Sequence, residues 1–206
     1  MTVIEDLPRD LFAKAADVID EVGWTQGAMK DAKGRVCLTG AIRECAPVPG
    51  DWAIVREVAN HRNHGETWND NGSRRKAQVT KWLRETEPIT DEELEVVFGP
   101  QWEHVVALVR KTATLTPTEW TRYYQARTGT PGWYDAWRAV GDYSGPGDAA
   151  LRALWAVGGG GDGAGVAAAL ARRHEIGTAF TQKQYDTLVR PWVSLFGPVH
   201  PDDVAA

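Results

Sequence analysis

Residues 7–23, LPRDLFAKAADVIDEVG, set Leu11, Phe12, Ala15, Ala16, Val18 and Ile19 on one stripe of a 3.6-residue period. That stripe predicts an amphipathic helix whose apolar face needs covering by other elements. Gly23 closes it with a predicted left-handed cap. The segments downstream supply the cover. In WTQGAMKDAKGRVCLTGAIRECA (24–46), DAKG reads as a turn with Gly34 at positive φ, which predicts a short two-stranded hairpin delivering Cys37 and Leu38 onto a helix through Ile42. In GDWAIVREVANHRN (50–63), Asp51 is the expected N-cap of a third helix with Trp52, Val55, Val58 and Ala59 inward. A polar loop, HGETWNDNG (64–72), precedes a fourth helix in SRRKAQVTKWLRETEP (73–88), which buries Val79, Trp82 and Leu83.

The second half continues the helical pattern. Thr90 and Glu93 have capping-box spacing, and Gly99-Pro100 interrupts the helical run that they open. At 116–129 Thr116 is the N-cap, Pro117 the first helical residue, Glu119 the residue that reaches back and Gly129 the stop. Short helical pieces are expected in 132–145 and 147–157, and another helix in 164–177. Thr181 and Gln184 cap the last segment, which Pro191 should kink or restart after Arg190. The expected fold is mainly α: a small helical bundle with one short β-hairpin in an N-terminal module, residues 1–88, and a second helical module, residues 89–206, with a glycine-rich loop at 158–165.

Charge and composition narrow the function. The chain of 206 residues has 23 Lys and Arg against 28 Asp and Glu, a net charge of −5, ten tryptophans and two cysteines, Cys37 and Cys45. No apolar run approaches the roughly 18 to 20 residues of a membrane span, and the N-terminus lacks a basic-then-apolar leader. The expected location is the cytoplasm, with reduced thiols and neither a disulfide framework nor a zinc cage. Trp-rich surfaces can serve as amphipathic contact faces, or the same side chains can stiffen small cores.

Residues 12–87 resemble an uncharacterised domain family of actinobacteria and their phages. The likeness rests on AADVIDEVGWTQGAMKDAKGRVCLTGAIRECA and ETWNDNGSRRKAQVTKWLRET. In such proteins a helix leads to Trp-x-x-Gly-Ala, then Gly-Arg-x-Cys-x-x-Gly-Ala, then Trp-Asn-Asp and an amphipathic helix. GTAFTQKQYDTLVRPWVSLFGPVHPDD (177–203) resembles the ending of small helical actinophage and actinobacterial proteins, although glycines stand here where an Ala/Asp/Arg-rich helix is expected. The resemblance implies two modules and a phage or actinobacterial origin, and brings no activity with it.

Four stretches are candidates for chemistry. In NHRNHGETWNDNG (60–72), His61, His64, Trp68, Asn69 and Asp70 form the candidate functional surface, with Glu66 among them. His61 and His64 stand three apart and Asp70 could complete a His-His-carboxylate metal set, but no Glu base lies between the histidines. The other reading is a helix C-terminus, with both imidazoles complementing the dipole and an Asx turn at Asn69 and Asp70 capping the next helix. Cys37 with one of these histidines and Asp70 could form a nucleophile, base and orienting acid, or Cys37 could simply pack beside Gly-Ala. Arg74, Arg75, Lys76, Lys81 and Arg84 form a candidate basic face, yet 13 basic and 14 acidic residues through position 88 argue against nucleic-acid binding. Trp192, Phe196 and Pro201 are a candidate docking end. Gly158, Gly160 and Gly163 satisfy G-x-G-x-x-G, but no strand precedes them and Ala164-Gly165 stands where a phosphate-binding loop needs Lys-Ser/Thr. The run reads as a hinge or loop.

The expected function is a non-enzymatic binding or regulatory protein of phage or actinobacterial type. It would act in the cytoplasm, host cytoplasm if phage-encoded, through a protein partner or self-association, with no cofactor, nucleic acid or membrane. The alternatives are a small metal- or thiol-dependent hydrolase centred on His61, His64, Asp70 and Cys37, and nucleic-acid binding through the Arg74–Arg84 helix.

Overall fold

The computed structural model describes residues 7–128, 149–157 and 185–198. The chain divides into two units, Met1–Val97 and Phe98–Ala206. Among the described residues all regular structure is helical.

The first unit is built around α1 (Leu11–Val22), whose Leu11, Phe12, Ala15, Ala16 and Ile19 are buried. α1 packs against α2 (Leu38–Cys45) and α5 (Lys76–Glu85), and α2 in turn packs on α3 (Asp51–His61) and α4 (Glu66–Asn69). Burying Leu11, Phe12 and Ile19 stabilises this arrangement by about 1.5–3 kcal/mol for each side chain. α5 contributes Val79 and Leu83 to the core, while Trp82 is half-buried. Gly23 ends α1 through its N–H to the Ile19 carbonyl, 3.0 Å, at φ 92° and ψ 162°. The φ is positive as expected, but the ψ is extended, so the chain leaves the helix straight instead of through a left-handed cap.

The expected β-hairpin is absent. Val36 forms isolated bridges with Trp24 and with Lys30, and no strand develops. Gly34 does turn at φ 81°, and the Asp31 carboxylate closes the turn by accepting from the N–H groups of Lys33 and Arg35, both at 2.9 Å. No ladder extends from the turn because the backbone of Val36 is taken by the segment after α1: its N–H donates to the Gly23 carbonyl (3.1 Å) and its carbonyl accepts from the Thr25 N–H (3.0 Å). Gln26 Nε2 donates to the carbonyls of Asn69 (2.7 Å) and Asn71 (2.9 Å), and the Gly27 N–H donates to Asp70 Oδ1 (3.0 Å).

Two helix starts also differ from expectation. The N-cap of α3 is Gly50, at φ 100°, and Asp51 is the first helical residue, fully buried. Trp52, Val55, Val58 and Ala59 point inward as the periodicity requires. The polar loop after α3 contains the single-turn helix α4. α6 (Asp91–Phe98) starts where the Glu93 N–H donates to Thr90 Oγ1, 3.2 Å, but the Glu93 carboxylate turns away to Arg62, whose Nε lies at 2.6 Å.

In the second unit, α7 (Trp102–Thr114) buries Val105, Val106, Leu108 and Val109 and packs on α9 (Ala149–Val157). α8 (Pro117–Thr128) begins with the full capping box: Glu119 N–H to Thr116 Oγ1 at 3.3 Å and Thr116 N–H to Glu119 Oε2 at 2.8 Å. α10 (Arg190–Phe196) packs on α8 and comes after a π-helical turn, Tyr185–Val189. Pro191 in the first turn of α10 restarts the helix at Arg190, since it has no N–H to continue the ladder behind it. Trp192, expected as a docking residue, is 1% exposed and packs against Tyr123 and Phe196, ring centres 5.6 and 4.9 Å away. Pro201, the stop at Gly129, the expected helices at 132–145 and 164–177, the caps at Thr181 and Gln184 and the glycine run 158–165 lie outside the described residues.

Candidate functional site

The junctions α3–α4 and α4–α5 gather most of the chemistry-bearing residues of the first unit. Their geometry begins at the end of α3. Asn63 takes the left-handed conformation, φ 59°, and donates to the Asn60 carbonyl at 3.0 Å, while the His64 N–H reaches back to the Ala59 carbonyl at 2.8 Å. This pair of bonds is a Schellman close. It turns His64 inward, where Nδ1 meets the Arg62 carbonyl at 2.6 Å and therefore carries the proton. The imidazole lies flat on Trp82, ring centres 4.6 Å apart and planes 3° apart, and tilts against Trp68 at 4.7 Å. Phe12 meets Trp82 edge-on at 5.3 Å, and the Arg74 guanidinium sits 4.5 Å above the Trp68 ring. Stacks of this kind add about 0.5–1.5 kcal/mol per aromatic pair beyond burial and hold the rings in fixed orientations.

Asn69 and Asp70 bond to neighbouring segments. Asn69 is 1% exposed, and its Oδ1 accepts from Trp24 Nε1 (2.9 Å) and the Leu38 N–H (3.2 Å), while Nδ2 donates to Asp70 Oδ1 (2.7 Å). The Trp-Asn-Asp turn thus ties α4 to the segment between α1 and α2. The Asx turn leading into α5 is made by Asn71, not by Asn69 or Asp70: its Oδ1 accepts from the Ser73 N–H (3.0 Å) and hydroxyl (2.7 Å).

Beside this cluster opens a cleft of about 390 Å³ lined by Asn60, Asn63, Gly65, Thr67, Trp68 and Asn71. Its walls are amide, hydroxyl, glycine and indole, with no ionisable side chain. No side-chain hydrogen bond joins Asn60, Asn63, Thr67 or Trp68 to another described residue. Gly65 lies close against the Asn60 carboxamide: a Cβ there would stand 1.6 Å from Asn60 Oδ1, so any larger residue turns that side chain aside. Attention to the histidines of NHRNHGETWNDNG misses these amides, although three asparagines at 60, 63 and 71 are the available signal.

The remaining candidates separate. His61 is exposed on the last turn of α3, His64 is enclosed by tryptophans, and Asp70 bonds Gly27 and Asn69; among the described residues no group of three His, Cys, Asp or Glu side chains converges as a metal set. Cys37 is the N-cap of α2, its Sγ accepting the Gly40 N–H at 3.3 Å. Burial pushes its thiol above the ordinary value, further from the thiolate that nucleophilic catalysis needs. On α5 the basic face is largely paired: Arg84 bonds Asp20 (2.7 Å) and Asp17 (3.0 Å), Lys76 bonds Asp20 (2.8 Å), and Lys81 lies 3.9 Å from Glu85. Arg74 and Arg75 have no acidic partner among the described residues.

Residues 4–87 match the model of a family of unknown function, DUF6197. The match covers less than half of the chain and contains all of α1–α5, hence the whole of this cluster and cleft. No curated protein and no solved structure matches the chain. Among the described residues no helix is long and apolar enough to cross a membrane.

Proposed function

We propose that the chain is a non-enzymatic binding or regulatory protein of actinobacterial or phage type, acting in the cytoplasm through protein contact. Its contact surface is the α3–α4–α5 junction. One observation carries this reading: side chains around the cleft have hydrogen-bonding groups that the fold itself does not use, beside an indole held rigid by His64, Trp82 and Arg74. Trp and Arg in such rigid settings are the residues that dominate protein interfaces, because little side-chain entropy remains to be lost on docking. The neutral walls point the same way, since acid–base or nucleophilic chemistry would need a titratable or activated group at the cleft.

The test compares the wild-type chain with Trp68→Ala and Arg74→Ala in quantitative capture from an actinobacterial lysate, with light scattering to follow self-association. The expected result is a partner, or a dimer, that binds wild type and is lost from both variants. A monomer that captures nothing, or partners retained equally by folded variants, overturns it.

A further inference from the structure

The cleft also specifies the chemistry of its occupant. We infer that it takes an uncharged, amide-bearing stretch of the partner polypeptide, of Asn, Gln, Ser and Gly type, recognised by carboxamide-to-amide hydrogen bonds. This deepens the contact reading above and rests on it.

Three observations carry the inference. First, each asparagine carboxamide carries donors on its nitrogen and an acceptor on its oxygen, the pattern that a main-chain or side-chain amide complements with both groups at once. Asn60 and Asn63 make no side-chain hydrogen bond to another described residue, and Asn71 uses only its Oδ1, leaving Nδ2 to donate; Thr67 adds a hydroxyl. Secondly, no ionisable side chain lines the walls, and the Arg74 guanidinium beside them is engaged on the Trp68 ring, so a charged ligand group would lose water there for little return. Thirdly, the Trp68 ring is already covered: Arg74 stands over it at 4.5 Å, and His64 and Trp82 lean on it with centres at 4.7 and 5.8 Å. A sugar ring would want a bare indole face to stack on, whereas an extended peptide needs only the indole as a wall. The volume of about 390 Å³ is at the small end of ligand sites and suits a short stretch of chain.

The experiment titrates the full chain with fluorescently labelled short peptides, acetylated and amidated: one of Gln, Asn, Ser and Gly, one with Glu and one with Lys in place of Gln. A neutral oligosaccharide is the fourth probe. Two variants accompany wild type: Asn63→Gly, which keeps the left-handed backbone and removes the amide, and Thr67→Val, which removes the hydroxyl at constant shape. The inference expects saturable binding of the neutral peptide, at least tenfold weaker binding of both charged peptides, and at least tenfold loss in each variant with an unchanged melting temperature. If a protein partner maps to this surface but charged peptides bind as well as the neutral one, the inference fails and the contact reading stands. Oligosaccharide binding in place of peptide overturns both. No binding of the neutral peptide at millimolar concentration, or undiminished binding in both variants, overturns the inference.

Discussion

Two glycines show how much a single residue can mean at this scale. A Cβ on Gly40 would stand 1.9 Å from the Met29 carbonyl oxygen, a backbone atom that cannot swing aside. A Cβ on Gly65 meets Asn60 Oδ1, the tip of a side chain that can rotate away. Gly40→Ala is therefore expected to cost about 3 kcal/mol and Gly65→Ala less than about 1 kcal/mol. Urea denaturation checks both, and equal losses would refute the distinction. The thiols give a second prediction. Burial raises the Cys37 pKa, and it raises that of Cys45 to about 11. Native protein at pH 8 is expected to react with a thiol probe at least a hundredfold more slowly than unfolded protein; a Cys37 reacting as fast as a free thiol would restore the hydrolase reading.

Among the elements, α4 is the least conspicuous, and its last residue ties distant segments together. It is four residues long, yet Asn69 at its end satisfies Trp24 Nε1 and the Leu38 N–H together. Asn69→Ala would leave the buried Leu38 N–H and the Trp24 indole N–H without that acceptor, and is expected to destabilise the protein by about 2–4 kcal/mol. Thermal unfolding measures this; a loss below about 1 kcal/mol would mean that water replaces the amide. Periodicity could not announce α4, because one turn is too short to show a period. The hairpin failed for the complementary reason. DAKG does turn, but Val36 gives its backbone groups to Gly23 and Thr25, and the Gly27 N–H goes to Asp70, 43 residues away in sequence, and no local pattern records that competition. The basic face of α5 was visible as a run of Arg and Lys, while its pairing with Asp17 and Asp20 came from the packing of α1 on α5.

The whole molecule is expected to lose stability in acid, and three carboxylates set the direction. Asp20 is held below its ordinary 3.8 by the bonds from Lys76 and Arg84. At Asp31 desolvation pushes upward, but Arg35 and the backbone donors outweigh it and the net shift is down. Glu119 is lowered by the Thr116 N–H and hydroxyl. A carboxylate with a depressed folded pKa stabilises the protein above its unfolded pKa, and that contribution disappears as pH falls through the folded value. Melting temperature should therefore be flat in respect of these groups from neutral pH to about 5 and fall below about 4. An Asp20→Asn, Asp31→Asn, Glu119→Gln triple variant should show a shallower fall. An unchanged acid limb would remove these three groups as its cause.

Local chemistry by itself determined the helical character, the inward faces of α1, α3 and α5, and the caps at Thr90 and Thr116, because helix periodicity and capping act over three or four residues. It also pointed to 60–72 as the polar stretch of interest, with Trp68 among the residues singled out. Only tertiary structure decided that His64 would lie between two tryptophans, that Asn69 would knit three segments together, and that Asn60, Asn63 and Asn71 would share one cleft with Trp68. Each of these depends on contacts between residues distant in sequence or brought round by a turn, whose partners are set by the packing of whole helices and not by the residue types alone.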